Sequence, residues 1–379
     1  MALIEFINEH ADWQELLQME PYNLNIVSDY PYTMIKYKKE QMDFSNPIVR
    51  EARGCIVYYN GAQWVYACRP FDKFCNYGEE YSAVNDINWD YATVTEKVDG
   101  SLIKVWFSPF HNHWMVSTNG TIDANKAKVG DTNISYYEYF IKALGGKENF
   151  QKLLDQLKIT YTYMFELVGP ENRIVVEYDE PAVYFLRSRE NLFGTFSFTL
   201  FDILTIKYPK RYHLRNLDEC IAAAAAMSKN EEGFVVNDDQ ENMIKVKSPE
   251  YLLAARAYNN GVLTVKRALE LIEEGKVDDF LAYSPIYQKK MDMIMGNLND
   301  ICYKLNYYGK LVRQPTRKEH FETLNFINRL EIDGALRKMM IAFGMAYYDG
   351  KYTDAYSFVM LGNSRKKLID IIEEMLEVK

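Results

Sequence analysis

Long apolar runs are missing from this chain of 379 residues. No stretch approaches the ~20 residues that a membrane-spanning helix needs, and the opening Met-Ala-Leu-Ile-Glu-Phe carries an acid where a signal peptide carries basic charge. Neither a membrane protein nor a secreted one is expected, and a cytoplasmic location is. Cysteine is sparse: Cys55, Cys68, Cys75, Cys220 and Cys302 are odd in number, scattered, and form no Cys-x-x-Cys pair. That speaks against a disulfide framework or a zinc site. Five histidines approach metal-ligand spacing only at His111-x-His113, in a segment that reads as an exposed turn. The Gly145-Gly146-Lys147 run lacks the spacing and the following Ser or Thr of a P-loop, and no Gly-x-Ser-x-Gly serine-hydrolase signature occurs. Positive charge is also in deficit, with a formal net charge of −9, which disfavours a protein that coats long stretches of nucleic acid. The field that matters is local, however. Basic residues gather at Lys36, Lys38 and Lys39, at Arg69 with Lys73, at Lys245 with Lys247, and at Arg365-Lys366-Lys367. A basic cleft on an acidic protein suits the gripping of one strand end or break.

What is present is an ordinary globular composition with 48% hydrophobic residues, enough for a sizeable core and, at ~100–200 residues per domain, for two domains. The texture changes near residue 250. Before it, short segments rich in Val, Ile, Tyr and Phe alternate with turn residues, as in 54–61, 102–107, Ile174–Tyr178 and Phe234–Asn237, and these read as strands. Helices are expected after Asn8, over Ser135–Leu144, over Lys147–Leu157 and over the alanine-rich Cys220–Met227. After Pro249, prolines thin out and apolar-periodic segments follow at Leu263–Glu274, Tyr287–Tyr308, Phe321–Phe343 and Arg365–Val378. That part reads as all-helical. No internal repeat or low-complexity linker separates the two parts, so they are expected to be closely joined.

Lys97 heads the motifs that carry chemistry. It lies in Glu96-Lys97-Val98-Asp99-Gly100-Ser101-Leu102, and alone it would read as a surface turn, since Asp-Gly is a common turn dipeptide. It does not stand alone. Ala52-Arg53-Gly54 and Arg69-Pro70-Phe71-Asp72-Lys73-Phe74-Cys75-Asn76 precede it. Phe165-Glu166, then Pro170, Asn172, Arg173, Ile174 and Val175, then Glu232-Gly233-Phe234-Val235-Val236 and Lys245-Val246-Lys247 follow in order. In register, these segments resemble the covalent nucleotidyltransferases, the superfamily of ATP-dependent ligases and messenger-RNA capping enzymes, and more closely the phage RNA ligase 1 family. The resemblance runs from about Tyr37 to Ser248.

That resemblance implies an α+β fold: an antiparallel-sheet nucleotidyltransferase (ATP-grasp-like ligase) domain over 1–250 and an all-helical domain over 251–379 that helps select the RNA, with no OB-fold after the Lys-x-Lys strand. A stabilising cap or an oligomerisation face is an equal account of the helices. Lys97 is implied as the nucleophile that takes AMP from ATP. Arg53 and Lys73, with Tyr37, are implied contacts of the β- and γ-phosphates. Glu232 is placed near a Mg²⁺ ion, for which Mn²⁺ could substitute, and Glu166 near the ribose hydroxyls or a metal-bound water. Glu96 and Gly100 are counted among the nucleotide-binding positions. Asp99 is a catalytic candidate whose role in holding the turn is an equal alternative, and Gly100 would permit a positive φ there. Some family members carry a lysine shortly before the glycine that corresponds to Gly120; Val116-Ser117-Thr118-Asn119-Gly120 has none.

Residue chemistry supports the lysine independently. An amine attacks phosphorus only when neutral, and a lysine at the ordinary pKa of ~10.4 is neutral roughly one time in a thousand near pH 7.4. Neighbouring cationic charge shifts that balance, whether from Mg²⁺ or from Lys245 and Lys247. Those two stand at i and i+2 of a strand and share a face, and Lys247 is the better candidate to sit on the oxygens of the reacting phosphate. The expected function is ATP-dependent joining of 5′-phosphate and 3′-hydroxyl RNA ends, a nicked tRNA among the candidate substrates, by a monomeric enzyme. The alternatives are a GTP-dependent capping-type guanylyltransferase and a non-catalytic RNA-end-binding protein.

Overall fold

The computed structural model describes residues 2–38, 42–130, 132–258, 263–283, 287–312, 322, 325–326, 329, 334–352, 354–360 and 364–377. They fall into two compact units, one of Met1–Ile26 with Tyr30–Val262, the other of Val27–Asp29 with Leu263–Lys379. Three sheets organise the first unit. The first has strand order β1-β2-β3-β4 from β1 (Leu24–Asp29), β2 (Tyr32–Tyr37), β3 (Arg53–Tyr59) and β4 (Trp64–Cys68). Its core side is filled by helices α1 (Ala2–Glu9), α2 (Trp13–Gln18) and α3 (Pro47–Glu51), through Leu3, Ile7, Trp13, Leu17 and Val49. The helix expected after Asn8 therefore has another before it, with Leu3, Ile4 and Ile7 on its buried stripe.

Strand β5 (Thr93–Glu96) leads into Lys97. The second sheet follows, from β6 (Ser101–Ser108), β7 (His113–Thr118), β8 (Tyr161–Val168), β9 (Ala182–Glu190) and β10 (Phe196–Ser197), in the order β10-β9-β8-β6-β7, with β11 (Ile206–Lys207) parallel to β9. Helices α4 (Tyr136–Ala143) and α5 (Lys147–Leu154) cover it through Phe140, Leu144, Phe150 and Leu153. Ser135 and Glu138 close a reciprocal capping box on α4, so the Ser-x-x-Glu spacing fixes where that helix starts. The third sheet joins β12 (Arg211–Tyr212), β5, β13 (Gly233–Asn237) and β14 (Met243–Lys247), all antiparallel, with α6 (Leu217–Ala225) packed on Val94, Phe234 and Ile244. An antiparallel α+β fold is what the sequence implies and what these sheets display.

Ile174–Tyr178 is not a strand. Its apolar side chains pack with Tyr251, but the amides of Val175 and Val176 donate to the Asp99 carboxylate instead of to a neighbouring strand. β-Branched composition supplied the pattern, and a buried acid took the hydrogen bonds.

Helix α7 (Pro249–Tyr258) closes the first unit; Pro249 opens it and the Ser248 hydroxyl accepts from the Tyr251 amide. The described elements of the second unit beyond residue 262 are helices: α8 (Val265–Glu274), α9 (Val277–Tyr283), α10 (Gln288–Val312), α11 (Gly334–Tyr348), α12 (Ala355–Met360) and α13 (Arg365–Glu377). On α10, Met291, Ile294, Leu298, Ile301 and Leu305 are buried at alternating steps of three and four, the stripe that a packed helix requires. Arg365 ties α13 to Glu273 of α8 at 2.6 Å. The helix expected over Phe321–Phe343 lies partly outside the described residues, as do Lys39, His320 and Val378. No helix among the described residues is long and apolar enough to cross a membrane.

Candidate active site

Strand register assembles the centre of the site. In the third sheet Phe234 pairs with Glu96, and Gly233 pairs with Lys247; one step beyond, the Lys97 amide donates to the Gly233 carbonyl at 2.8 Å. Lys97, Gly233 and Lys247 therefore form a row across three strands, with Glu232 at the end of the middle one. Lys97 Nζ donates to Glu232 Oε2 at 2.7 Å and Lys247 Nζ lies 3.0 Å from Glu232 Oε1. The Glu232 side chain is only 2% exposed, so this acid sits in a low-dielectric setting between two cations. Gly233 is required: its φ is +135°, and a β-carbon would overlap the Val246 carbonyl oxygen.

The turn after Lys97 is fixed by another buried acid. Asp99 Oδ2 accepts from the amides of Val175 and Val176, both at 2.9 Å, and Oδ1 accepts from the Tyr251 hydroxyl at 3.0 Å. The Tyr178 hydroxyl lies 3.4 Å from the Asp99 amide. Burial, and then the Asp99 charge, push the Tyr178 phenol well above its ordinary range. Gly100 donates its amide to Glu166 Oε1 at 3.2 Å, which brings Glu166 to the nucleophile turn. Gly100 is not in the left-handed region. It is needed for a different reason, since a β-carbon there would run into the Leu167 carbonyl.

Upstream residues reach the same sheet from its β14 edge. Lys245 donates its amide to Cys75 O at 3.1 Å and accepts from Tyr77 at 2.8 Å, so the segment after Lys73-Phe74 runs alongside β14. Phe74 then carries two cations: Arg53 Cζ lies 5.1 Å and Lys245 Nζ 4.9 Å from its ring centre. Lys73, nearly buried, rests 4.8 Å from the Phe44 ring and 5.9 Å from that of Tyr37. Lys247 lies 5.5 Å from the Tyr251 ring. Glu96 goes elsewhere: its carboxylate accepts from the Lys210 amide at 3.0 Å, on the β12 side of β5.

Tyr251, Tyr178 and Phe74 were given no role from the sequence, although each touches one of the motif residues. Tyr251 had a usable signal, standing four residues after Lys247 in the first turn of a helix opened by Ser-Pro. Among the described residues no group of three or more His, Cys, Asp or Glu could hold a metal ion. Glu232 contacts the Lys97 ammonium, and Glu166 contacts the Gly100 amide of the turn that follows. Oxygen donors of this kind are the type that Mg²⁺ accepts, one or two acids being enough when phosphate oxygens and water complete its octahedron.

Antiparallel sheets that converge on one lysine, one buried acid and a second lysine define a nucleotidyltransferase-type ligase scaffold. A family model described as RNA ligase, of the phage RNA ligase 1 type, matches residues 51–251, and the chain belongs to that family. It is 32% identical over 272 residues to a protein named as a bifunctional polynucleotide kinase/RNA ligase from Autographa californica nuclear polyhedrosis virus, over 68% of this chain and 38% of that one. It is 30% identical over 169 residues to an RNA ligase of Rhodothermus phage RM378, over 36% of each. The chain thus spans well under two thirds of the length of both relatives. Among solved structures, an archaeal ATP-dependent RNA ligase superposes with a TM-score of 0.44 at 11% identity, over 100% of this chain and 89% of that chain.

Proposed function

We propose that this chain is an ATP-dependent RNA ligase that joins 5′-phosphate and 3′-hydroxyl ends in RNA repair, with residues 1–250 as the adenylyltransferase and residues 251–379 selecting the RNA. The observation that carries the reading is the Lys97–Glu232–Lys247 row. Lys97 Nζ attacks the α-phosphorus of ATP; a nitrogen–phosphorus bond forms and the bond to pyrophosphate breaks. The proton that Lys97 must shed has Glu232 Oε2, at 2.7 Å, as an acceptor already hydrogen-bonded to it. Lys247, held within the same carboxylate's reach at 3.0 Å, answers the charge that spreads over the phosphoryl oxygens. Arg53 and Lys73, with Tyr37, receive the β- and γ-phosphates. AMP then passes to an RNA 5′-phosphate, and a 3′-hydroxyl attacks that activated end and expels AMP.

A divalent cation, Mg²⁺ or Mn²⁺ in its place, would bind at Glu166 and Glu232 with phosphate oxygens and neutralise their charge. Glu166 holds the Gly100 amide at 3.2 Å and so couples that position to the nucleophile turn. A nicked tRNA is among the substrates to assay, and the protein is read as a cytoplasmic monomer.

The test is incubation of the purified protein with Mg²⁺ and α-labelled ATP or GTP, followed by denaturing electrophoresis. ATP label retained by the wild type and absent from a folded Lys97→Ala is expected. Label retained in Lys97→Ala would remove Lys97 as the nucleophile, and label from GTP alone would make the protein a capping-type guanylyltransferase.

A further inference from the structure

One buried cation has no place in the scheme above. Lys104 stands in the middle of β6, opposite Ser117 of β7 and Met164 of β8, and is 0% exposed. No carboxylate pairs with it among the described residues. Its ammonium donates to the Gly54 carbonyl at 2.5 Å. Gly54 is left-handed, at φ +74°, and a β-carbon on it would lie 3.3 Å from Lys104 Nζ and 3.2 Å from the Asn119 carbonyl oxygen. The Asn119 side-chain oxygen, buried against the same glycine, has no hydrogen-bond partner. Burial lowers the Lys104 pKa; the Cys68 and Cys55 thiols nearby oppose this, and the charge of Arg53 adds to it more weakly.

An unpaired charge inside a protein is strongly destabilising, and setting it beside a second cation adds repulsion. Such an arrangement persists when an anion that arrives later supplies the missing counter-charge. Arg53 directly precedes the glycine that Lys104 holds.

We propose that Lys104 is a positioning residue for the polyphosphate tail of ATP, a buried positive charge that fixes the Arg53–Gly54 peptide and is compensated only when phosphate occupies Arg53. This rests on the reading of Arg53 as a β,γ-phosphate contact. Lys104 touches neither nucleotide nor RNA; it acts through Arg53 and the backbone of Gly54.

The full-length protein and Lys104→Met are titrated calorimetrically with inorganic pyrophosphate and separately with AMP, both with Mg²⁺, and their melting temperatures are measured. Wild type binds both. Lys104→Met is expected to bind pyrophosphate roughly tenfold or more weakly, as loss of one nearby charge at intermediate dielectric implies. AMP affinity stays within about twofold, and the melting temperature stays near that of wild type, because the relief of an uncompensated charge offsets the hydrogen bond lost at the Gly54 carbonyl. The double variant Lys104→Met with Asn119→Lys, which moves the ammonium to the loop after β7 on the other side of Gly54, recovers pyrophosphate affinity. Unchanged pyrophosphate affinity in a folded Lys104→Met would overturn the proposal. So would a lowered melting temperature with AMP and pyrophosphate lost in parallel, which marks a packing role. If Lys104→Met does not fold, a folded double variant that binds pyrophosphate supports the proposal, and one that does not bind, or does not fold, overturns it. A wild type that binds neither ligand refutes the adenylyltransferase reading itself.

Discussion

Asp99 offers the sharpest separation of scaffold from chemistry. Its Oδ2 satisfies two backbone amides at 2.9 Å and its Oδ1 a tyrosine hydroxyl at 3.0 Å, in a residue only 2% exposed. Replacing it with alanine strands both amides; each buried donor left without a partner costs about 1–3 kcal/mol, so the pair costs about 4 kcal/mol. For a unit of this size each kcal/mol moves the melting temperature by about 2–4 °C, which puts Asp99→Ala roughly 8–16 °C below wild type. Asparagine is different. Its carbonyl oxygen can still accept from both amides, and its NH₂ can donate to a rotated Tyr251 hydroxyl, so Asp99→Asn loses only the charge assistance, about 1 kcal/mol or roughly 2–4 °C. Thermal unfolding by circular dichroism of the three proteins should order them wild type, Asn, Ala. Adenylylation by Asp99→Asn should fall by less than the ~100-fold that losing an acid–base group costs. An alanine variant that melts with wild type would refute the anchoring argument. A stable asparagine variant that no longer adenylylates would assign the carboxylate to the reaction.

Two further outcomes follow from the same sheets. Gly233→Ala forces a β-carbon into the Val246 carbonyl at a φ of +135°; a stability loss of about 3 kcal/mol and loss of ATP labelling are expected, and a labelled, wild-type-stable variant would break the link between register and site. Asp238 would be raised by burial, but the amides of Asn88, Asn242 and Gln240 and the Asn242 side chain outweigh that and hold its pKa low. Its contribution is therefore present above the unfolded carboxyl value of ~3.9 and lost as pH falls through the lower folded value. The gap in melting temperature between wild type and Asp238→Asn should be open at pH 7 and narrow progressively below pH ~4; an equal gap at pH 7 and pH 3 would contradict it.

Local patterning made much of the sheet scaffold readable. Segments rich in Val, Ile and Phe at 102–107 and 234–237 read as strands and lie in β6 and β13, and Ser135–Leu144 read as a helix and contains α4. Lys97, Glu232 and Lys247 were named because each sits in a short segment that carries the resemblance, and the structure brings the three side chains together. What the sequence concealed depends on partners far apart in the chain. Asp99 meets residues 76, 77 and 152 positions away, so nothing near Ile174–Tyr178 announced that its amides were already taken. Lys104 was given no role from the sequence, because nothing local reveals that it is buried within β6. Glu96, adjacent to the nucleophile, was drawn away by a strand edge at Lys210 that the motif does not contain.

The shared carboxylate of Glu232 gives the resting site an electrical character of its own. Two ammonium groups share one internal carboxylate, which cancels a single unit of their combined charge, so an arriving phosphate meets a site already partly compensated. A phosphate that reaches Lys247 competes with Glu232 for that ammonium, while the contact of Glu232 with Lys97 is kept for the proton transfer. The acid thus acts as a built-in competitor at Lys247 and a retained partner at Lys97.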